Sequence, residues 1–446
     1  MTGTDGTERT SRGAGRGREA ASGRSGRSAR SGRSEVSGRA GASGSSGASG
    51  RTDRAERLAS SPGLFNPLWC YHGLRMCVFG LSVFGVIMVF SSSAVSAASS
   101  GKSPFGESMS QVAFCIIGLV LCLVCTRIPM PLYRKGGVFI MAAAIVLQSL
   151  TFTPLGVDAY GNAGWIGLFG MTFQPAETTK FALCVWLPNA VAAGTRHYGH
   201  TGRTLRDLWE SYRVVFAIYG LALALVLGGK DLGTALIIMA IGLTAFVFGG
   251  FPGKYLAWVS IAGVLGVVAM VGLSENRRTR ILAAYSDCTS PDLQDVCYQS
   301  IHARYAIASG GLLGVGLGNS REKWNYLPAA HNDFIFAVIA EETGFFGAMM
   351  VILIFVILGW CLLYSALRLH GRERYASNVL MCVAVWLVGQ AFVNIGVVVG
   401  VLPVLGVPMP FVSSGGSSMI MCLAVSGVAM RMLRLLPEVK ADTTRV

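Results

Sequence analysis

Apolar stretches recur along the chain between residue 76 and residue 433, and polar turns separate them. Each stretch has about 20 residues, which is enough for a helix to cross ~30 Å of hydrocarbon. The pattern therefore predicts an all-α polytopic membrane protein with ten transmembrane helices. The predicted spans lie near 76–97, 108–126, 136–153, 174–194, 212–228, 232–250, 255–273, 333–365, 376–401 and 412–433.

Three segments depart from this repeat. The span at 333–365 is longer than a bilayer requires, so we expect it to tilt or to project beyond the membrane. The apolar segment 164–173 is too short to cross and is predicted to form an interfacial hairpin. A polar, charge-bearing loop, 274–333, separates the seventh and eighth predicted helices. Because nearly all the rest of the ordered chain is compatible with hydrocarbon, we expect the chemistry in this loop.

Loop charges predict the orientation. Ten spans place both ends of the chain on one side of the membrane, and basic residues concentrate in the loops of that side. These residues are Arg127, Arg134, Lys135, Arg196, Arg203, Arg206, Arg213, Lys254, Arg368, Arg372, Arg374, Arg431, Arg434 and Lys440. The positive-inside rule then predicts cytoplasmic termini and an extracellular loop at 274–333.

Composition supports a membrane domain at 70–436 and predicts a tail at each end of it. The chain is 52% hydrophobic and only 13% charged, whereas soluble domains carry about 25% charged residues. Residues 1–57 are rich in Gly, Ser and Arg and are predicted to be a disordered cytoplasmic tail. This tail either binds anionic lipid or an acidic partner, or serves only as a cationic anchor. Residues 437–446 form a short cytoplasmic tail. The net charge of +14 is explained by the tail and the loops, so we expect no nucleic-acid partner.

The eleven cysteines lie mostly in apolar runs, where a thiol acts as a small hydrophobe. Their spacing gives no indication of a zinc site. Cys288 and Cys297 are the pair that falls in the 274–333 loop. In an oxidising compartment they form either a disulfide bond, which we favour, or two free thiols.

The 274–333 loop carries charges of both signs. Three carboxylates follow three closely spaced arginines: Arg277, Arg278 and Arg280, then Asp287, Asp292 and Asp295. Arginine binds phosphate in a bidentate manner, and a carboxylate can accept a proton from a hydroxyl nucleophile. This combination fits transfer to an alcohol with a phosphate leaving group. It also fits a solvated, ion-paired loop without chemistry.

Other polar residues occur inside or beside the predicted spans. The Gly-rich segment 309–319 lacks the Lys-Ser/Thr of a phosphate-binding loop and is predicted to form tight turns or close backbone packing. Glu177 and Lys180 lie three residues apart on one helical face, and Asp231 begins another span. Such groups indicate either a functional cavity or a structural ion pair. Further polar positions are Gln174, Glu341, Glu342, Gln390 and Asn394, of which the last two suit hydrogen bonds between helices.

Four blocks of sequence together resemble the SEDS family of shape, elongation, division and sporulation proteins. They read QPAETTK (174–180), KDLGTA (230–235), AHNDFIFAVIAEETG (330–344) and LPVLGVPMPFVSSGGSS (402–418). Their order and spacing cover essentially all of residues 70–436. Within the family, GLGNSREKWNYLPAAHNDF (316–334) is more similar to the division branch than to the elongation branch. The basic extension suggests an actinobacterial source.

The resemblance implies a ten-span peptidoglycan glycosyltransferase that polymerises lipid II outside the cytoplasmic membrane. The essential family Asp precedes a Tyr-Gln pair, which places it at Asp292, with Asp287 and Asp295 as alternatives. Substrate binding is predicted for residues of the four resembling blocks and for the three loop arginines, which are chosen for their charge and not from a family motif. These are Glu177, Lys180, Asp231, Arg277, Arg278, Arg280, His331, Asp333 and Ser414. The Asp-Pro that usually precedes the Gly-rich run is absent, and Lys230 stands where the family usually has Pro.

Partners and location also follow from the resemblance. It implies a class B penicillin-binding protein, other division proteins and membrane lipid as partners, at the division septum of the cell membrane. No metal-ligand motif is present, but the departing diphosphate of lipid II needs positive charge, from side chains or from a divalent cation such as Mg²⁺ or Mn²⁺. Two other functions remain open: a lipid II flippase and a non-enzymatic division scaffold.

Overall fold

The computed structural model describes residues 65–99, 106–159, 162–168, 171–201, 204–272, 278–279, 291–324 and 326–443. The predicted basic tail at 1–57 lies outside this range, and so do Arg277, Arg280, Asp287 and Cys288. Nothing in the described residues therefore tests the tail, and the alternative base Asp287 stays a prediction.

The described chain is almost entirely helical, as the apolar repeat predicts. Its α-helices in chain order are α1 Pro67–Ser99, α2 Gly106–Arg127, α3 Met130–Ser149, α4 Pro175–Thr201, α5 Leu205–Gly228, α6 Leu232–Gly249, α7 Gly253–Gly272, α8 Pro291–Gly310, α9 Ile335–His370, α10 Arg374–Ala384, α11 Gln390–Val398, α12 Gly416–Leu433 and α13 Pro437–Thr443. A 3₁₀ turn follows α3 at Leu150–Phe152, and a π turn, Val385–Gly389, joins α10 to α11.

Each of the ten predicted spans coincides with one of these helices or, at 376–401, with α10 to α11 together. Eight segments of the described chain are long and apolar enough to cross a membrane. The two that fall short of this measure are α4, which contains Glu177, Lys180 and Pro188, and α7, whose apolar part is Gly253–Ala269. The polytopic helical fold is thus confirmed, whereas the count of ten stays a prediction.

Helix ends follow ordinary capping chemistry. Proline occupies the first position of α4 and α8, where its missing N–H costs no helical hydrogen bond. Helix α5 begins with a capping box, in which Thr204 and Asp207 each bind the backbone N–H of the other. Asp231 caps α6 by accepting a hydrogen bond from the Thr234 N–H at 2.9 Å.

A small antiparallel sheet lies between α3 and α4. Its strands are β1 Gly156–Ala159, β2 Asn162–Leu168 and β3 Met171–Phe173, in the order β1-β2-β3. In the second pair, Ile166 lies opposite Phe173 and Leu168 opposite Met171. The hairpin predicted at 164–173 is therefore present, and one more strand extends it.

Close packing of α2 against α12 depends on glycine. A Cβ atom on Gly427 would overlap the backbone oxygen of Cys122, and one on Gly118 would overlap the side chain of Leu423. Small residues of this kind let membrane helices approach closely, which increases van der Waals contact where no hydrophobic effect drives association.

The 274–333 segment differs from the predicted polar loop because a helix of 20 residues lies within it. Helix α8 covers Pro291–Gly310, and Ala303 and Ala306 are fully buried on it. The segment that follows α8, 311–334, is made largely of turns. The polar composition concealed this helix, whose buried positions among the described side chains are all small: Cys297, Ala303, Ala306 and Gly310.

Two glycines allow this segment to pack closely against α9. Gly344 interrupts α9 with φ 69° and ψ −169°, and Gly314 has φ 81°. A Cβ atom on Gly344 would overlap the backbone nitrogen of Gly314, and a Cβ atom on Gly314 would overlap the carbonyl oxygen of Glu342. The close backbone packing predicted for the Gly-rich segment is confirmed.

Gly344→Ala is expected to destabilise the protein by about 1–3 kcal/mol, because alanine is strained at this φ and its Cβ has no room. Thermal unfolding of the purified protein in detergent measures the change. Gly80→Ala is the matched control, since Gly80 lies inside α1 and a Cβ there meets no atom within 4 Å. Equal melting temperatures for the two variants would contradict the assignment.

Candidate functional site

A buried ion pair lies at the start of α4. The Nζ atom of Lys180 lies 2.7 Å from Oε1 of Glu177, and the two side chains are 1% and 0% exposed. Lys180 also donates to Oε1 of Gln390 at 2.8 Å and lies 5.1 Å from the ring centroid of Trp386. Three side chains from two parts of the chain thus surround one ammonium group, as an ionisable group in hydrocarbon requires.

The π turn at Val385–Gly389 supplies two of these partners. Trp386 lies within the turn, and Gln390 follows it directly. The extra residue of a π turn rotates the following helix relative to a regular α-helix, and such turns are frequent at functional sites. Gln390 continues the network by donating from Nε2 to the Pro408 carbonyl at 2.7 Å.

Asp231 forms a second part of the cluster. Its Oδ2 atom accepts from Nε2 of Gln174 at 2.9 Å, while Oδ1 caps α6. The backbone N–H of Gln174 donates to Oγ of Ser417 at 2.9 Å. Gln174 therefore connects the N-termini of α4, α6 and α12 at one end of the bundle.

Asp333 lies beside this second part. Desolvation of its half-buried carboxyl, and then the negative charge of Asp231, raise the pKa of Asp333 to about 6. Its backbone carbonyl accepts a hydrogen bond at 2.7 Å from Nδ2 of Asn394, which donates at 2.8 Å to the Val407 carbonyl as well. The turn before α9 is thereby fixed to α11 and to the 402–415 segment.

The 413–415 segment is bound to the same turn. The N–H of Ser414 donates to the His331 carbonyl at 2.9 Å, and Oγ of Ser413 donates to the Asn332 carbonyl at 2.7 Å. Gln111 of α2 holds this segment from the other side through the Ser413 carbonyl and the Gly415 N–H. His331 and Ser414 thus meet through backbone atoms.

Some buried polar atoms of the cluster have no hydrogen-bond partner in the described part of the chain. They include Oε2 of Glu177, Nε1 of Trp386 and Oδ1 of Asn394. A buried unpaired acceptor or donor costs about 1–3 kcal/mol. These three atoms therefore indicate where a water molecule or a substrate hydroxyl gains most from binding.

The structure brings together five of the predicted site residues, Glu177, Lys180, Asp231, Asp333 and Ser414, and His331 joins them through its carbonyl. Gln390 and Asn394 make the hydrogen bonds between segments that their spacing predicts. Trp386 and Ser417 were missed, since neither residue type stands out in an apolar helix. The sequence feature that could have indicated Trp386 is its position four residues before Gln390, which places the two on one helical face.

The loop residues are less completely described. Asp292 is the second residue of α8. Arg278 is exposed. Cys297 is buried and disulfide-bonded, while Cys288, its predicted partner, lies outside the described residues, so the pairing stays a prediction. Asp292 as the base, and the arginines as phosphate ligands, also remain predictions.

Comparison with known proteins gives a family from the sequence and a similar fold from the structure. Residues 72–436 match the FtsW/RodA/SpoVE family, described as cell cycle proteins. The probable peptidoglycan glycosyltransferase FtsW of Mycobacterium tuberculosis is 32% identical over 381 residues, which cover 85% of this chain and 70% of that protein. Stage V sporulation protein E of Bacillus subtilis is 29% identical, over 79% of this chain and 94% of that protein.

Two solved structures are similar. A chain from a peptidoglycan synthase complex, solved in work on the coordination of polymerization and crosslinking, has a TM-score of 0.62 and 25% identity. The match covers 81% of this chain and 97% of that chain. The rod shape determining protein RodA of Thermus thermophilus has a TM-score of 0.58 and 23% identity, over 81% of this chain and 96% of that chain, and supports the fold.

Lys180→Met is expected to cost about 3–5 kcal/mol, because it leaves the Glu177 carboxylate buried without its cation. The double variant Glu177→Gln/Lys180→Met removes both charges and is expected to recover most of that loss. Thermal unfolding in detergent measures both. The control is Arg206→Met, which breaks an exposed pair (87% and 51% exposed) and is expected to cost under about 1 kcal/mol. A Lys180→Met loss no larger than the control would contradict the assignment.

Asp333 is expected to make stability depend on pH. Its folded pKa of about 6 exceeds the ordinary 3.8, so the folded state binds a proton more tightly between these values. The free energy of unfolding should therefore fall as pH rises from 4 to about 6. Asp333→Asn should flatten this part of the profile, measured by melting temperature against pH. Asp158→Asn, at an exposed carboxylate of β1, should leave it unchanged, and an equal slope in both variants would reject the shift.

Proposed function

The chain belongs to the FtsW/RodA/SpoVE family of cell cycle proteins, and from this membership we propose that it is a peptidoglycan glycosyltransferase of cell division. It polymerises lipid II into glycan strands. The observation that carries this proposal is the match over 72–436 together with a buried polar cluster inside an apolar bundle. Relatives named as probable FtsW glycosyltransferases are about a third identical to it over the aligned residues.

The reaction joins two lipid-linked sugars. A hydroxyl of the acceptor sugar attacks the anomeric carbon of the donor, and a glycosidic C–O bond forms as the C–O bond to the polyprenyl diphosphate breaks. The carboxylate of Asp292 takes the hydroxyl proton, and the diphosphate leaves with the bonding electron pair. The anomeric configuration inverts. General base catalysis of this kind contributes about 10²–10⁴-fold to the rate.

Cationic side chains stabilise the leaving diphosphate in this proposal. Lys180 is the cation of the buried cluster, and Arg277, Arg278 and Arg280 precede α8 in the sequence. Lys180 already has a carboxylate and an amide in contact, so its orientation is fixed before substrate binds. Preorganised charge of this kind needs no rearrangement as negative charge develops. His331, Asp333 and Ser414 border the same cluster and are proposed to bind the sugar headgroup.

A divalent cation fits the cluster if two carboxylates and the substrate diphosphate bind it together. Within the described residues, no three His, Cys, Asp or Glu side chains converge on a point. Mg²⁺, however, is commonly bound by one or two carboxylates together with substrate phosphates. Asp231 and Asp333 are two carboxylates close enough for one to raise the pKa of the other. They would hold Mg²⁺ or Mn²⁺ against the diphosphate, where the ion supplies charge neutralisation.

The proposal also covers partners and location. The chain acts as a multi-pass protein of the cytoplasmic membrane with both termini inside and α8 outside, enriched at the septum. Its partner is a class B penicillin-binding protein, the transpeptidase that crosslinks the new strands, together with other division proteins. Support comes from the similar chain found in a peptidoglycan synthase complex.

Asp292→Asn is expected to lower lipid II polymerisation by at least about 10²-fold, because the amide cannot accept the hydroxyl proton. Purified protein, alone and with its cognate transpeptidase, is given lipid II in detergent, and glycan strands are resolved by gel electrophoresis. Asp287→Asn and Asp295→Asn are the matched controls.

Each other outcome identifies a different function. Full activity of Asp292→Asn with loss in one control would move the base to that control position. A wild-type protein that forms no glycan in detergent but transfers lipid II across vesicle membranes would be a flippase. A scaffold would do neither, and cells carrying all three loop variants would still divide.

A further inference from the structure

Four arginines lie near the end of the bundle where α1 begins and where α2 and α12 finish. They are Arg75, Arg127, Arg431 and Arg434, and are called the arginine cluster below. In the part of the chain that the structure describes, none of the four lies within 4.0 Å of a carboxylate oxygen. The glycosyl-transfer proposal gives none of them a role, so their charge needs another explanation.

The aromatic ring of Tyr71 brings two members of the cluster together. Tyr71 is buried in α1, and the Cζ atoms of Arg75 and Arg434 each lie 5.7 Å from the centre of its ring. Arg434 also donates from Nε to the Tyr71 hydroxyl at 3.0 Å. Like charges repel each other more strongly at the edge of a membrane than in water. An anion that contacts both guanidinium groups would therefore be bound favourably.

Hydrogen bonds to the end of α2 orient the two arginines of α12. Arg431 donates from Nε to the Ile128 carbonyl at 2.9 Å, and Arg434 donates from Nη1 to the Thr126 carbonyl at 3.5 Å. Cations are favourable at the C-terminus of a helix, where carbonyls lack helical partners. A guanidinium has five N–H donors. These contacts therefore fix both groups in place and leave donors for a ligand.

Two carboxylates of α13 lie at the same end of the bundle, because α13 packs against α1. Both are paired with residues outside the cluster. Oδ2 of Asp442 lies 3.5 Å from Nε2 of His72, and Oε1 of Glu438 lies 3.6 Å from Nη2 of Arg368. The acidic groups of α13 therefore leave the positive charge of the arginine cluster in place.

Exposed apolar side chains continue from the two exposed arginines towards the middle of the bilayer. Phe79, 57% exposed, follows Arg75 by four residues, and Leu123, also 57% exposed, precedes Arg127 by four. Residues four apart share a helical face. Further exposed apolar residues extend along both helices: Val83 and Ile87 of α1, and Ile116 and Val120 of α2. Positive charge at the end of an apolar surface matches a phospholipid, whose phosphate lies above its acyl chains.

Membrane orientation alone does not account for this arrangement. The positive-inside rule depends on the number of basic residues near the ends of the spans, not on how their side chains are held. Arg431 and Arg434 are half-buried and bonded to a tyrosine hydroxyl and to helix carbonyls. Such a fixed group of guanidiniums is suited to phosphate, which arginine binds through paired N–H donors.

We propose that the arginine cluster binds the phosphate of an anionic phospholipid, whose acyl chains lie along the exposed apolar residues of α1 and α2. Basic pockets between membrane helices bind anionic headgroups in this way. The lipid belongs to the cytoplasmic leaflet, a statement that rests on the orientation given under the proposed function. The site itself does not depend on glycosyl transfer.

Arg75→Gln tests the site at an exposed position, where the variant is expected to keep the melting temperature of the wild type in lipid-free detergent. Native mass spectrometry of the purified protein measures the Kd for phosphatidylglycerol. The variant is expected to raise this Kd about 5-fold, the effect of one basic residue at a membrane surface. The double variant Arg75→Gln/Arg434→Gln should raise it about 25-fold.

Arg206→Gln is the matched control, since Arg206 is 87% exposed and lies at the start of α5, away from the cluster. Its Kd is expected to equal that of the wild type. Equal Kd values for the wild type and the double variant would overturn the proposal, and so would an equal loss in the control.

A comparison of ligands separates a lipid site from a site for free phosphate. Phosphatidylglycerol is expected to raise the melting temperature of the wild type more than phosphatidylcholine does, because only the former carries a net negative charge. Inorganic phosphate at the same concentration should leave the melting temperature unchanged, because it lacks acyl chains. An equal effect of inorganic phosphate, or of phosphatidylcholine, would reject the anionic-lipid site.

These measurements need no turnover and so distinguish this proposal from the proposed function. A protein that binds phosphatidylglycerol through the cluster but forms no glycan from lipid II rejects the function alone. A protein that polymerises lipid II, and whose double variant still binds phosphatidylglycerol as the wild type does, rejects the lipid site alone.

Discussion

An ammonium group inside an apolar bundle is the constraint that shapes this fold. Lys180 cannot remain charged there without a carboxylate and neutral acceptors, and Glu177 and Gln390 meet that need at 2.7 and 2.8 Å. Gln390 reaches it from the helix that follows the π turn, and its amide also binds the Pro408 carbonyl. The irregular backbone at 385–389 and at 402–415 therefore lies beside a polar cluster, where its exposed peptide groups find partners.

The sequence predicts the positions of the helices well, but it predicts the residues of the site only in part. Length and apolar character place each predicted span on a helix, because a bilayer imposes both on any spanning segment. Helix α8 was missed because its described buried side chains are small (Cys297, Ala303 and Ala306), and hydropathy does not separate such a helix from a loop. Glu177 and Lys180 are visible as a pair from their spacing alone. Trp386 is not, because its role depends on a π turn that no periodicity reveals.

Long-range hydrogen bonds account for most of what the sequence left open. Gln174 and Asp231 lie 57 residues apart, and Asn394 meets the Asp333 carbonyl across 61. The resemblance to the SEDS family names such residues together without giving their contacts. The structure adds the contacts, and they divide the buried charges into two groups. One, around Lys180, borders unpaired polar atoms such as Oε2 of Glu177. The other pairs Lys323 with Glu342 at 2.8 Å, and both of its side chains are bonded.

The tight packing of α2 against α12 bears on how the protein is made. Gly118 of α2 and Gly427 of α12 allow the contact between two helices that are synthesised about three hundred residues apart. Gln111 of α2 likewise binds Ser413 and Gly415, which are synthesised about three hundred residues later. Arg434 then reaches the hydroxyl of Tyr71 near the start of α1. Early helices must therefore dwell in lipid, or beside the insertion machinery, with these surfaces uncovered. A nascent chain truncated before residue 413 would leave the partner surfaces of α2 uncovered, so these contacts form only when the last span is complete.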